Sequence, residues 1–174
     1  MDKFEIARRK YKPSLIRYLL IAETPPKSDS KRFFYFENVM EQDSLFLETM
    51  KVLYSEETEN IDVINIRKNK SYFLNRFQND GYYLIDSLEK PFEDKYSSTQ
   101  KINLIKSGLP NLLMRIKSIL NNQTKVILIS ATVYKANYLF LKQNGINVIN
   151  TELIDFPGSG GQKKFREKLR KIIQ

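Results

Sequence analysis

The sequence predicts a three-layer α/β domain built on a central four-stranded parallel sheet. Short apolar runs of the length of buried strands recur along the chain, and amphipathic helical segments separate them. Strands that alternate with helices are most simply joined by right-handed crossovers, which makes the sheet parallel. The 174 residues are expected to form a single domain, 1–174, long enough to bury a substantial core.

The first predicted strand is the apolar run at 15–22. A continuous run rich in Leu and Ile is typical of a strand that is buried on both faces of a parallel sheet. The prolines at 25–26 lack the amide donor that a ladder needs, so the strand is expected to end near Ala22. Ligands of parallel sheets bind just beyond the carboxyl ends of the strands. Glu23 and Thr24 are therefore candidates for the rim of a binding site.

Four consecutive aromatic residues, 33–36, follow a polar loop after the prolines. In an extended segment alternate side chains point in opposite directions, so Phe34 and Phe36 would share one side and Tyr35 would take the other. One of these rings could stack on a ligand while its neighbours enter the core.

The next segments predict two helices and a strand. Helical spacing of apolar residues indicates a helix over 43–54, with Asp43 as its N-cap, and a second helix over 68–78. The run at 82–85 is expected to be the second strand, which ends at Asp86.

The second half of the chain continues the alternation. Helical periodicity over 102–120 restarts after a proline, and the apolar run at 125–130 is the clearest strand in the sequence. Ser130 is a candidate cap for the helix that follows. A short last strand is expected at 146–149, and a terminal helix begins near Gln162.

The amino-acid composition limits the partners and the catalytic groups that the protein can use. The net charge of +9 and the isoelectric point near 9.6 favour an anionic partner. The chain has no cysteine and no histidine, so thiolate sites and the usual general base are excluded, and neither a metal nor another cofactor is expected. The lack of cysteine suits the cytoplasm, where we place the protein as a monomer. No apolar run reaches the roughly 18 residues of a membrane span.

A glycine-rich loop at 157–161 precedes the basic terminal helix. Glycine lets backbone amides approach a phosphate closely, and the amino terminus of a helix favours the same anion. A flexible connector with no ligand is the alternative interpretation. The candidate phosphate-binding or DNA-binding residues are Gly158, Ser159, Gly160, Lys163 and Lys164.

Two segments resemble the site motifs of the uracil-DNA glycosylase superfamily. Residues 22–26 read Ala-Glu-Thr-Pro-Pro, and Glu23 and Pro25 match the Gly-Glu-Ala-Pro-Gly motif of one class of that family. Residues 156–159 read Phe-Pro-Gly-Ser where the family has His-Pro-Ser. The resemblance covers nearly the whole chain from residue 15. It implies a central four-stranded parallel sheet flanked by helices and a site that acts on DNA.

The resemblance also implies roles for single residues. Glu23 would position water or stabilise the sugar cation, and Thr24 stands where the most active class has aspartate. Asp86 lies at the end of the second strand, where some classes carry an asparagine that reads the base. An aromatic residue of the segment 33–36 would stack on that base, and Phe156 stands where the family has histidine. Without a ligand, Glu23 would be an ion-paired glutamate at a strand end and Asp86 a turn residue.

Three functions are consistent with these features of the sequence. The first is hydrolysis of the N-glycosidic bond of uracil or another altered base in DNA. The second is a catalytically inactive protein of the same fold that binds nucleic acid, which the missing histidine and the threonine at position 24 favour. The third is a hydrolase of nucleosides or nucleotides, which would need a closed pocket in place of an open basic groove.

Overall fold

A parallel sheet with helices packed around it forms the centre of the molecule, as predicted for an α/β protein. The computed structural model describes residues 2–158 and 160–174. The sheet has the strand order β2-β1-β3. Its strands are β1 (Tyr18–Ala22), β2 (Tyr82–Asp86) and β3 (Lys125–Leu128).

The first strand occupies the middle of the sheet. Leu20 of β1 lies opposite Leu84 of β2 and Ile127 of β3, and both pairings are parallel. Leu19, Leu20 and Ile21 are essentially inaccessible to solvent. A central strand of a parallel sheet that is covered on both faces needs apolar side chains at consecutive positions, which explains the uninterrupted run in the sequence.

In the first half of the chain, one helix precedes β1 and the other helices lie between β1 and β2. The predicted helix over 43–54 is confirmed in slightly shorter form, and Asp43 stands at its N-cap position without making a side-chain cap hydrogen bond. The helices are α1 (Lys3–Lys10), α2 (Ser44–Leu53), α3 (Ser55–Thr58), α4 (Val63–Lys68) and α5 (Lys70–Asn79).

In the second half of the chain, two helices connect β2 to β3 and two follow β3. The predicted cap at Ser130 is confirmed, since its hydroxyl accepts a hydrogen bond from the Val133 amide at 3.2 Å. The helices are α6 (Ser98–Ser107), α7 (Leu109–Lys117), α8 (Ala131–Gln143) and α9 (Gln162–Ile173).

The predicted last strand at 146–149 does not form as a continuous strand in the described residues. The chain instead forms single parallel bridges, from Val148 to Val126 of β3 and from Ile154 to Ile129, the residue after β3. Between them the buried side chain of Asn150 accepts a hydrogen bond from the Leu128 amide at 3.0 Å and donates one to the Leu128 carbonyl at 3.3 Å. A side-chain amide thus takes the place of a backbone partner, which interrupts the ladder.

A side chain also forms hydrogen bonds with β2, the strand at the opposite edge of the sheet. The hydroxyl of Tyr35 accepts a hydrogen bond from the Leu84 amide at 2.7 Å and donates one to the Leu84 carbonyl at 3.1 Å. Tyr35 is buried, and burial raises the pKa of its hydroxyl well above the ordinary value. Single side chains therefore satisfy backbone groups on both outer strands.

Candidate functional site

A large open cleft lies where β1 and β2 end. Its volume is about 1230 Å³. Residues that the sequence analysis selected from four separate stretches contribute to its lining. They are Glu23, Thr24, Phe34, Asp86 and Phe156. The cleft therefore occupies the position at which open parallel sheets bind their ligands.

Glu23 is held by contacts from three other segments. Its backbone carbonyl accepts a hydrogen bond from the Leu88 amide at 3.1 Å, just beyond β2. Its carboxylate Oε1 accepts a hydrogen bond from the Ser130 hydroxyl at 3.3 Å, and Oε2 lies 3.9 Å from the Lys101 ammonium. The side chain keeps 26% of its surface exposed. Glu23 is thus anchored at both carboxylate oxygens and still open to the cleft.

Asp86 is the last residue of β2 and pairs in register with Ala22 of β1. Arg8 from α1 donates a hydrogen bond to its Oδ2 at 2.7 Å, and Arg115 from α7 donates one to its backbone carbonyl at 3.0 Å. Burial raises the pKa of the Asp86 carboxyl to about 6, against the opposing influence of Arg8. This carboxyl therefore changes protonation in a mildly acidic range.

The aromatic segment 33–36 forms a turn, with the Phe36 amide donating to the Phe33 carbonyl at 3.1 Å. The rings of Phe34 and Phe36 therefore lie in different places, although an extended strand would set them on the same side. Phe34 lines the cleft, whereas Tyr35 bonds the edge of β2 and Phe36 packs against Phe4 with ring centroids 5.4 Å apart. Of the three candidate rings, Phe34 reaches the site, and it does so from the core, since it is buried and packs against Phe77 with ring centroids 5.3 Å apart.

Phe156, the residue that precedes the glycine-rich loop, lines the cleft and is 48% exposed. Gly160 has a φ of +79°, a conformation that favours glycine. Gly161 lies so close to the Phe156 carbonyl that a β-carbon would approach the oxygen to 2.4 Å. The loop backbone therefore requires both glycines. Gly158 packs beside the Phe156 ring, and Ser159 lies outside the described residues.

The predicted phosphate-binding lysines stand on the first turn of α9. Lys163 and Lys164 are exposed, and the Lys163 ammonium is 3.9 Å from the Glu167 carboxylate. Neither lysine lines the cleft. The structure thus brings together the predicted catalytic and base-binding positions, apart from Tyr35 and Phe36. The predicted phosphate-binding residues Gly158, Gly160, Lys163 and Lys164 do not line the cleft.

Three residues near the site could not be predicted in that role from the sequence. Arg8 reaches Asp86 from α1, Lys101 reaches Glu23 from α6, and both come from ordinary amphipathic helices that carry no local signal. Ser130 was predicted as a helix cap only. Its backbone has φ +84° and ψ 150°, a region that residues other than glycine rarely adopt. Such strain cannot be read from a single sequence.

The charges around the cleft are mixed. Its two buried carboxylates, Asp43 and Asp86, are already paired with basic side chains from outside the lining. The remaining charged lining residues are Lys27, Lys31, Arg32 and Lys101 on the basic side and Glu23, Asp29 and Glu41 on the acidic side. The accessible lining is therefore modestly positive.

No family model, curated protein or solved structure matches the chain. None of the helices within residues 2–158 and 160–174 has the length and apolar character that a bilayer crossing requires. That part of the chain also holds no group of three or more acidic, histidine or cysteine side chains placed to bind a metal ion.

Proposed function

We propose that this protein is a DNA base-excision glycosylase of the uracil-DNA glycosylase type, which hydrolyses the N-glycosidic bond of uracil or another altered base. One observation carries the proposal. Glu23, Phe34, Asp86 and Phe156 come from four separate stretches of the sequence and line one cleft at the carboxyl ends of parallel strands. The resemblance of residues 22–26 to a glycosylase motif gives these positions their roles.

Glu23 acts at the sugar in this proposal. A water molecule adds to C1′ while the bond from C1′ to the base nitrogen breaks, and the bonding electron pair leaves with the base. The Glu23 carboxylate orients the water, accepts its proton and passes that proton toward the departing base. The ionised carboxylate also stabilises the positive charge that develops on the sugar. Thr24 adds a hydroxyl that orients water beside it.

Asp86 and Phe34 hold the base. A base must leave the stack before it can be cut out, and an aromatic ring that faces it then replaces part of the lost stacking. The ionised Asp86 accepts hydrogen bonds from a base N–H or an exocyclic amine, whereas an asparagine could also donate to a carbonyl. Since the pKa of Asp86 is about 6, its acceptor form prevails at neutral pH.

The path of the C-terminal segment supports the same family of folds. The single bridges at Val148 and Ile154 follow the outer side of β3. We propose that the segment 148–154 takes the place of the fourth parallel strand of the glycosylase fold. Asn150 replaces part of its ladder.

The test is an excision assay with the full chain. Oligonucleotides that carry uracil, hypoxanthine, xanthine or hydroxymethyluracil are incubated with the protein, and alkali-labile abasic sites are measured. At least one of these bases is expected to be removed. Glu23→Gln is expected to lower the excision rate about 100-fold or more, because it removes the carboxylate that accepts the proton.

The control is Glu41→Gln, since Glu41 is exposed, lines the same cleft and loses the same charge. This variant is expected to keep its activity. If Glu41→Gln and Glu23→Gln were equally impaired, the effect would be one of overall charge and the assignment of Glu23 would be lost.

The second candidate function is binding of nucleic acid without catalysis. The chain has no histidine to polarise the departing base, and Thr24 cannot supply the carboxylate of the most active class. Salt-sensitive binding of DNA in the absence of abasic sites would support this function over the glycosylase.

A further inference from the structure

A second groove adjoins the cleft between α1 and the loop that follows β1. Its volume is about 520 Å³. Ser30, Lys31 and Asn38 line both the groove and the cleft, so the two depressions meet at this loop. A ligand seated in the cleft would therefore reach the groove without passing through the core.

The groove carries an excess of positive charge. Lys3, Lys10 and Lys31 line it against one acid, Glu37. The Glu37 carboxylate is already paired with Lys10 and accepts a hydrogen bond from the Tyr11 hydroxyl at 2.6 Å. These contacts hold the pKa of Glu37 below its ordinary value, so the acid remains ionised and paired.

Two of the lysines are placed to meet an anion. Lys31 is exposed and has no ion-pair partner within residues 2–158 and 160–174. The Lys3 ammonium donates a hydrogen bond to the Ser30 carbonyl at 2.7 Å and lies 5.7 Å from the centroid of the Phe36 ring. Phe36 is partly buried and contributes to the groove wall. Positive charges beside an aromatic ring are the features by which proteins hold a single nucleic-acid strand.

We propose that this groove binds the backbone of the strand that flanks the nucleotide in the cleft, so that the substrate is a polynucleotide and not a free nucleoside. The inference rests on the proposed function and adds the surface that holds the flanking strand. The size of the cleft agrees with it, since pockets for small molecules generally measure about 300–1,000 Å³ and the cleft alone is about 1230 Å³. Lys3 and Lys31 contact phosphates, and Phe36 faces a sugar or base.

The test compares two double variants that change net charge equally. Lys3→Gln with Lys31→Gln removes charge from the groove. Lys106→Gln with Lys142→Gln removes it from exposed positions on α6 and α8 that line neither depression. A fluorescent single strand of twelve thymidines with one central deoxyuridine is titrated with each protein at several salt concentrations.

The groove variant is expected to bind severalfold more weakly than the wild type. Its plot of log affinity against log salt is expected to be shallower by about 1.4, because each phosphate contact on a single strand contributes about 0.7 to the slope. The control variant is expected to keep the slope of the wild type. A four-nucleotide strand, which is too short to occupy both depressions, is expected to lose little affinity in either variant.

Equal effects of the two double variants would overturn the proposal. Hydrolysis of free 2′-deoxyuridine as fast as the twelve-nucleotide strand would do the same. These outcomes are separable from a failure of the glycosylase function. If the salt slope of the groove variant changes and no abasic sites form, the groove binds the strand and only the glycosylase function fails. If bases are excised and the salt slope does not change, the glycosylase function stands and the groove proposal fails.

Discussion

Ser130 shows how one residue can carry a conformational cost for a reason outside its own helix. Its φ of +84° and ψ of 150° fall in a region that suits glycine, and a residue with a side chain is strained there by about 1–3 kcal/mol. The hydroxyl makes two contacts that glycine could not. It caps α8 through the Val133 amide and donates to the Glu23 carboxylate.

Substitutions of Ser130 are therefore expected to change the free energy of unfolding and the rate of base excision in different ways. Ser130→Ala keeps the strained backbone and loses the cap, so its free energy of unfolding is expected to fall by about 1 kcal/mol. Ser130→Gly relieves the strain, and glycine is a tolerable N-cap, so this variant is expected to be more stable than Ser130→Ala by about 1 kcal/mol. Both variants are expected to excise bases about fivefold to tenfold more slowly, because a hydrogen bond to Glu23 is lost.

Urea denaturation and single-turnover excision measure the two properties separately. A purely structural role predicts that activity follows stability through the series. Full activity of Ser130→Gly would therefore remove the link between this hydroxyl and Glu23.

Helices α2, α4 and α5 are joined by a buried ionic cluster at the wall of the cleft. Arg67 of α4 donates a hydrogen bond to Asp43 at 2.9 Å, and the Lys70 ammonium of α5 lies 3.7 Å from the other Asp43 oxygen. Lys70 is fully buried, donates to the Phe33 carbonyl at 3.2 Å and lies 4.4 Å from the centroid of the Phe46 ring. Burial lowers the pKa of Lys70 to about 8. The Asp43 side chain is thus occupied by these bases and not by capping α2.

The lowered pKa of Lys70 makes stability depend on pH in a defined direction. Between about pH 8 and the ordinary lysine value near 10.5, the unfolded chain keeps a proton that the folded chain has lost. The unfolded state then binds more protons, so the contribution of Lys70 to the free energy of unfolding rises with pH. The rise is expected to approach about 1.4 kcal/mol per pH unit.

Lys70→Met is expected to abolish this rise, and Lys68→Met, at an exposed position on α4, is expected to retain it. Urea unfolding between pH 7.5 and 9.5 measures the difference, since this range lies below the titration of most tyrosines. Parallel pH profiles for the two variants would show that Lys70 does not titrate in this range.

In the molecule as a whole, single side chains bind backbone groups on both outer strands of the sheet. The Tyr35 hydroxyl bonds both backbone groups of Leu84 on β2, and the Asn150 amide bonds both backbone groups of Leu128 on β3. Unpaired strand edges are templates for association with other chains, and natural proteins protect them. These two residues provide such protection at single positions.

Asn150→Leu is expected to lower the free energy of unfolding by about 1–3 kcal/mol, because it leaves two buried backbone groups of Leu128 without partners. The variant is also expected to self-associate with rising concentration, whereas the wild type is expected to stay monomeric. Light scattering over a concentration series, with Asn147→Leu at the neighbouring exposed position as control, measures the effect. A monomeric Asn150→Leu would show that this contact does not guard the edge.

The α/β class and most helix positions could be predicted because they depend on local patterns of apolar residues. The run at 15–22 predicted the central strand, and the candidate Glu23 followed from the rule that sites lie at strand ends, whereas Asp86 was selected by the resemblance to the glycosylase family. The contacts of Arg8 and Lys101 could not be predicted, because they depend on how distant helices pack. Likewise, the apolar alternation at 146–149 fits a strand, and only the three-dimensional position of Asn150 reveals why the ladder is interrupted.

The order of strands in the sheet also affects how the chain folds. The middle strand, β1, is made first on the ribosome, while its two neighbours emerge much later. Until β3 leaves the exit tunnel, the apolar strand β1 lacks the neighbour that will pair with one of its edges. Pairing of β1 with β3 then requires closure of the long loop of chain between them. We expect refolding to be slow for a protein of this length, and translation at a moderate rate and temperature to improve the yield of native protein.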